Sequence, residues 1–335
     1  MTQFWKRGIA LLLVLVSVCG LCACGAEQTT GDNKNGTVAG NETTTNNQET
    51  AEQNNNVPFR LPAFRDTEVS LLSAEPYEDE NVKIEITKLE YSPQSDENGE
   101  RTEHGCCLII RYTVENRSSE EMTMQAEMAS VNGFASDVVD ADDTKVQAGE
   151  TKELYMYVPE EQFIRNGISQ IGSGKVVIKI YGDTFRKYRA NVSFTARENF
   201  EQRKYTDGQV VYEKDGLKIV AQGHGEWSIW EFDSDVRFYV ENNSDKTYSV
   251  SIEKYIHPDG YDLDTPAFIN EIVQPGEAGH MYGRVYDVYN KGYTNIAFRI
   301  RIAVERDDTP EMYYFKEVET FQTEFLSIEP ITIEN

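Results

Sequence analysis

Leu108-Ile109-Ile110-Arg111-Tyr112-Thr113-Val114-Glu115-Asn116 is the stretch that decides the fold. Successive side chains of an extended strand point to opposite faces. Leu108, Ile110, Tyr112 and Val114 therefore share one face and need a core, while Ile109, Arg111, Thr113 and Glu115 turn toward water. The run ends on a polar turn, Val114-Glu115-Asn116-Arg117-Ser118. The same pattern returns later as Val236-Arg237-Phe238-Tyr239-Val240, followed by Glu241-Asn242-Asn243-Ser244. There Val236, Phe238 and Val240 read inward, and Arg237, Tyr239 and Glu241 read outward.

Other pieces repeat in the same order. Val82-Lys83-Ile84-Glu85-Ile86 precedes the first copy and Leu217-Lys218-Ile219 the second. Asn132-Gly133-Phe134 is matched by Asp259-Gly260-Tyr261, and Ala148-Gly149-Glu150 by Pro275-Gly276-Glu277. Val176, Ile178 and Ile180 are matched by Phe298, Ile300 and Ile302. The last run extends from Ile296 to Val304, with Ala297, Arg299, Arg301, Ala303 and Glu305 on its other face. The matches lie about 125 residues apart, which is the signature of an internal duplication. Gly, Asn, Asp and Pro punctuate the runs, and such spacing predicts antiparallel sandwiches. One short helix is predicted after Pro159, with Phe163 and Ile164 inward and Gly167 just past its end. The chain divides into residues 65–199 and 205–335. Each half owns an alternating core set, so halves parted near Asn199–Tyr205 are expected to fold separately.

This order of strands, Val-Glu-Asn-x-Ser turn, Asn-Gly or Asp-Gly, small-Gly-Glu and closing strand resembles the telokin-like immunoglobulin-like domains of Gram-positive bacterial lipoproteins. The resemblance covers about Glu80 to Thr195 and Tyr212 to Phe321. It implies an all-β chain: two tandem immunoglobulin-like antiparallel β-sandwiches, after a signal peptide and a disordered linker. It implies no enzyme, no agreed ligand and no functional residues.

The N-terminus carries an address. Lys6 and Arg7 precede an apolar run from Ile9 to Val18, and Leu21-Cys22-Ala23-Cys24-Gly25 follows. The run is shorter than the ~20 apolar residues of a spanning helix and reads as a secretory signal, residues 1–23. Its ending resembles the lipobox of bacterial lipoproteins, with Cys22 at a position where cysteine is unusual. That resemblance implies cleavage before Cys24 and acylation of its thiol, so membrane lipid is a partner and the protein stands outside the cytoplasmic membrane. Residues 24–64 are the lipidated cysteine and linker. From Ala26 to Asn56 the only apolar side chains are Ala and Val, too few to offset the entropy of ordering. As a coil it reaches roughly 30 Å.

Composition narrows the function. The formal net charge of −25 opposes nucleic acid, whose binding depends on Lys and Arg at phosphates. With Cys19 and Cys22 lost and Cys24 acylated, only the adjacent Cys106 and Cys107 remain, and neighbours on a strand cannot readily bridge each other. Neither a disulfide framework nor a metal site is expected. Of His104, His224, His257 and His280, His224 and His257 read as solvated loop residues, and no nucleophile-elbow motif accompanies them. Asp137, Asp140, Asp142 and Asp143 crowd one loop without the order of a helix–loop–helix calcium site, and read as a solvated acidic loop. Trp227, Trp230 and Phe232, with Tyr282, Tyr286, Tyr289 and Tyr293, read first as core. No cofactor is expected.

One pattern suggests docking. Arg111 and Arg237 are repeat equivalents, as are Lys179 and Arg301. All four alternate with core residues, so all are expected to point outward, side by side in one sheet. Arg299 extends the stripe in the second repeat, and Arg186, Lys187 and Arg189 in the first. Such a stripe on an acidic chain suits an anionic partner, an envelope protein or a wall polymer, unless local acids such as Glu115 and Glu241 neutralise it. The expected function is non-enzymatic binding or adhesion in the cell envelope. The alternatives are a structural or accessory spacer subunit, which would expose no apolar patch, and then an envelope hydrolase, which would need a concave pocket holding a histidine or paired carboxylates.

Overall fold

The computed structural model describes residues 64–93, 105–140, 144–182, 188–225, 235–258, 262–284, 294–306 and 315–327. Cys24 and the tether lie outside them, as do His104, Asp142, Asp143, Arg186, Lys187, Trp227, Trp230, Phe232, residues 259–261, Tyr286, Tyr289 and Tyr293. Both repeats fall within one unit, Asn54–Asn335.

In the first repeat the elements are β1 (Ser73–Glu75), β2 (Tyr77–Glu78), β3 (Val82–Ser92), β4 (Cys107–Asn116), β5 (Met122–Val131), β6 (Phe134–Ser136), β7 (Val139–Asp140), β8 (Lys145–Val146), β9 (Thr151–Pro159), α1 (Glu160–Asn166), β10 (Ser173–Gly182) and β11 (Tyr188–Thr195). One sheet runs β2-β3-β4-β9-β7, and facing it runs β1-β11-β10-β5-β6. Strands β3-β4-β9-β7 over β11-β10-β5 reproduce the A-B-E-D and G-F-C sheets of an immunoglobulin-like sandwich. The second repeat holds β12 (Gln209–Lys214), β13 (Leu217–Gly225), β14 (Asp235–Asn242), β15 (Tyr248–Ile256), β16 (Asp262–Val273), β17 (Ala278–Arg284), β18 (Asn295–Glu305), β19 (Phe315–Gln322) and β20 (Leu326–Ser327). Here β13-β14-β17 is the A-B-E side, and β16-β15-β18-β19 the C′-C-F-G side. The protein is all-β, of immunoglobulin-like sandwich type.

The alternation in β4 holds from Leu108 onward: Leu108, Ile110, Tyr112 and Val114 are fully buried, and the residues between them are half-buried, while Cys107 at the start of the strand is buried too. Ile296, Phe298, Ile300 and Ile302 of β18 are likewise in the second core, with Val304 packed at its margin. The repeated turn motifs now have a cause. Asn116 is buried; its Nδ2 donates to the carbonyls of Glu120 (2.7 Å) and Val146 (3.0 Å), and its Oδ1 accepts from Ser118 N and Oγ. Asn242 donates to Lys246 (2.6 Å) and Val273 (2.9 Å) and accepts from Ser244 N and Oγ. Gly149 and Gly276, at φ 73° and 79°, donate their N–H groups to the carbonyls of Asn116 and Asn242. The two sequence motifs, far apart along the chain, are thus one corner.

Helix α1 begins after Pro159, buries Phe163, and closes on Gly167 at φ 65°, whose N–H reaches Ile164 O at 3.1 Å. Asn132 and Gly133, at φ 53° and 79°, form the two-residue turn joining β5 to β6. The tip of that turn reaches the second repeat. Ala278 N donates to Gly133 O at 2.8 Å, and Ala278 pairs in parallel with Phe134, so the two repeats share one 10-stranded sheet.

This joint corrects several expectations. Arg237 and Tyr239 do face away from the core of their own repeat, but the first repeat covers that face and both are fully buried. Tyr239, Val220 and Ala278 join the core of the first repeat, and Ala135 joins that of the second. His257, expected in an exposed turn, is 2% exposed just past the end of β15. Ala297 and Ala303 on the outward face of β18 are buried as well. His224 lies on β13 rather than in a loop.

Candidate functional site at the seam between the repeats

The polar chemistry that sequence reading scattered over the surface converges where the repeats meet. Strand β14 brings Arg237, β17 brings His280 and Tyr282, and the last turn of α1 brings Arg165 and Asn166. Arg237 donates through an Nη to Arg165 O at 3.3 Å and to His280 Nε2 at 2.6 Å. His280 Nε2 can only accept there, so its proton sits on Nδ1, which donates to Asn166 Oδ1 at 2.9 Å. Asn166 Nδ2 donates in turn to Ala135 O at 3.0 Å. The imidazole stacks on Phe134, centroids 5.6 Å apart and planes 7° from parallel, with Tyr239 at 5.4 Å. Tyr282 Oη donates to Arg165 O at 2.7 Å, and the Arg165 guanidinium lies over the Tyr282 ring.

Burial sets the charge states. His280 is held well below the ordinary imidazole value, first by burial and then by the Arg237 and Arg165 guanidinium groups. Burial draws Arg237 down to about 10, so it remains a cation at neutral pH. Glu271 pairs with Arg165 at 3.2 Å, yet burial outweighs that cation and pushes the carboxyl up to about 8. Burial raises Glu277 in the same direction.

Beside this chain lies a crevice of about 110 Å3, lined among others by Glu127, Met128, Ala135, Asp137, Glu271 and Glu277. Its acids already have internal partners. Arg189 contacts Glu127 at 2.7 Å and reaches across to Glu305 at 2.5 Å, while Gln162 donates to Asp137 at 2.9 Å. Gln274 N donates to Glu277 at 3.1 Å. Among the described residues no group of His, Cys, Asp and Glu is placed to hold a metal ion. The chemistry of the arrangement is cohesion between repeats.

The expected basic stripe does not form. Arg111 on β4 and Lys179 on β10 belong to opposite sheets, as do Arg237 on β14 and Arg301 on β18. The second and sixth strands of this fold face each other across the core and are not neighbours. Arg111 is half-exposed, tied to Glu90 at 2.5 Å and Glu153 at 3.6 Å, and lies over the Tyr155 ring. Arg301 lies 3.4 Å from Glu253, and Arg299 is half-buried beside Lys254 in register. Lys179 is half-buried and sits opposite Arg189 across the strand pair. Of the described stripe cations Arg237 enters the seam and Arg189 bridges it from Glu127 to Glu305, and Cys24 lies outside the described residues. Sequence reading missed Arg165, Asn166 and Glu271, while Tyr282, read first as core, is half-buried at the seam. A signal was present: the outward faces of β14 and β17 carry Tyr239, Ala278, His280 and Tyr282, which is not the make-up of a solvated surface.

Among known proteins, no family model and no curated sequence matches the chain. Solved structures similar to it include a YadV chaperone, 9% identical with a TM-score of 0.20, covering 64% of this chain and 91% of that one. The Salmonella enterica SafA pilin in complex with the SafB chaperone is 12% identical with a TM-score of 0.19, covering 64% and 88%. A protein of unknown function from Porphyromonas gingivalis W83 is 12% identical with a TM-score of 0.21, covering 72% and 98%. The immunoglobulin-like fold itself is read from the strand order of the two sandwiches.

Proposed function

We propose that this chain is a lipid-anchored, non-enzymatic binding protein on the outer side of a bacterial cell membrane, holding an envelope protein or a wall polymer. Its address comes from Leu21-Cys22-Ala23-Cys24-Gly25 behind a short apolar run. The observation that carries the binding half is the seam. A shared sheet and a buried hydrogen-bond chain fix one sandwich against the other. A partner that touches both sandwiches then meets a surface already ordered, which lowers the entropic cost of binding. The non-enzymatic half is supported by His257 and His280, both buried, the second with both ring nitrogens engaged.

The test is cross-linking of the mature protein in intact envelopes, followed by identification of what is captured. Specific capture of one envelope protein or polymer is expected, and empty capture overturns the binding reading. In parallel, Cys24→Ala is expected to abolish fatty-acid labelling; persistence of the label overturns the anchor.

A further inference from the structure

We propose that His280 is an acid-sensitive latch between the two repeats, closed while its ring is neutral and released when the ring takes up a proton. The inference does not rest on what the protein binds. Its basis is geometric. His280 is fully buried, and each ring nitrogen has a fixed role: Nε2 accepts from Arg237 at 2.6 Å and Nδ1 donates to Asn166 at 2.9 Å. A second proton has to go on Nε2, where it would meet the Arg237 N–H head-on. The hydrogen bond would become a contact between two buried cations.

Among the described residues no carboxylate faces the ring on that side. From β14 the ring is faced by Arg237 and Tyr239, from α1 by Arg165 and Asn166, from β6 by Phe134, and along its own strand by Tyr282. Two of these are cations and none is a carboxylate. The buried acid Glu271 is bound to Arg165. With the seam open, the imidazole meets water and titrates near its ordinary value of about 6.5. Each pH unit below that value therefore shifts the contribution of His280 toward the open form by about tenfold, while Glu271, raised to about 8 in the closed seam, and Glu277, raised in the same direction, pull the other way until they are protonated in the open form too. Opening would uncover Tyr239, Val220 and Ala278, now buried in the core of the first repeat.

Amide hydrogen exchange of the full chain between pH 7.5 and 5, corrected for intrinsic rates, tests the proposal. Glu271→Gln removes the opposing carboxyl, and in that variant protection in Glu160–Asn166 and Ala278–Arg284 is expected to fall by up to about tenfold per pH unit below about 6.5, more steeply than in the parent, while β4 and β9 keep theirs. His280→Gln, whose amide can accept and donate but not titrate, should hold the seam closed across the range. His280→Gln added to Glu271→Gln should abolish the acid loosening. A Glu271→Gln profile no steeper than the parent's, or loosening unchanged in the double variant, would each overturn the latch. Should His280→Gln fail to fold, Asn166→Asp decides. A carboxylate at Nδ1 stabilises the imidazolium and should move the loosening to lower pH, and an unmoved midpoint overturns the proposal.

Discussion

Asn116 and Asn242 make the same hydrogen bonds in their two repeats, each donating to two backbone carbonyls and accepting from the N–H and hydroxyl of the serine two residues on. Replacing either with Ala strands buried backbone carbonyls and frees the turn. Asn116→Ala and Asn242→Ala should each cost about 2–3 kcal/mol. Urea unfolding at unchanged slope measures this, and a loss below about 0.5 kcal/mol in either variant would contradict the shared corner.

Arg111 and Arg237 are repeat equivalents with opposite fates. Arg111→Ala removes a half-exposed ion pair and should cost no more than about 1 kcal/mol. Arg237→Ala leaves a cavity and an unpaired His280 Nε2 inside the seam, and should cost about 3 kcal/mol. Equal losses in the same unfolding assay would show that the second repeat's outer face is not held as described.

Gly149 and Gly216 both have left-handed backbones, at φ 73° and 82°. A Cβ at Gly149 meets nothing within 4 Å, so Gly149→Ala should cost about 1 kcal/mol from backbone strain alone. At Gly216 the added atom would lie 2.9 Å from Ser244 N, in the Asn242 corner. Gly216→Ala should cost about 2 kcal/mol or more, and calorimetry that ranks the two the other way refutes this.

Asp140 on β7 accepts from Ala126 N at 2.7 Å, and burial lifts its carboxyl to about 6. Its folded value lies above the unfolded one, so the folded state binds the proton more tightly. The resulting stability is fully present below about pH 4 and lost as pH rises through about 6. Asp140→Asn keeps an acceptor for Ala126 and cannot ionise. It should be more stable than the parent at pH 7 and no more stable at pH 4. A gap that persists unchanged at pH 4 would speak against the assignment.

Much of the architecture was legible because period-two alternation depends only on the strand itself. Leu108 to Val114 and Ile296 to Ile302 sort onto core and outer faces as their spacing requires. Pro159 and Gly167 bracket α1 for reasons local to the chain. The seam was not legible, because alternation states on which side Arg237 lies and not what will lie against it. Nor does a strand pattern say which sheet a strand joins, and so Arg111 and Lys179 seemed neighbours. Arg165 and Asn166 sit in a helix of seven residues, too short for any periodic signal.

The turn at Asn132-Gly133 also gives the molecule an order of assembly. Asn132 Oδ1 accepts from Gly172 N and Ser173 N, its Nδ2 reaches Gln170 O and Gln202 Oε1, and Gln202 donates on to Gly167 O. One side chain thus ties the hairpin, the loop after α1 and the segment leading into the second repeat. Synthesis delivers the N-terminal half first. By the time β14 and β17 emerge, the helix end and the turn that receive them can already be in place. The first repeat is then a template on which its copy is laid down. Pulse-labelled exchange during refolding should find β4 and β9 protected before β14 and β17, and the reverse order would show the template running the other way.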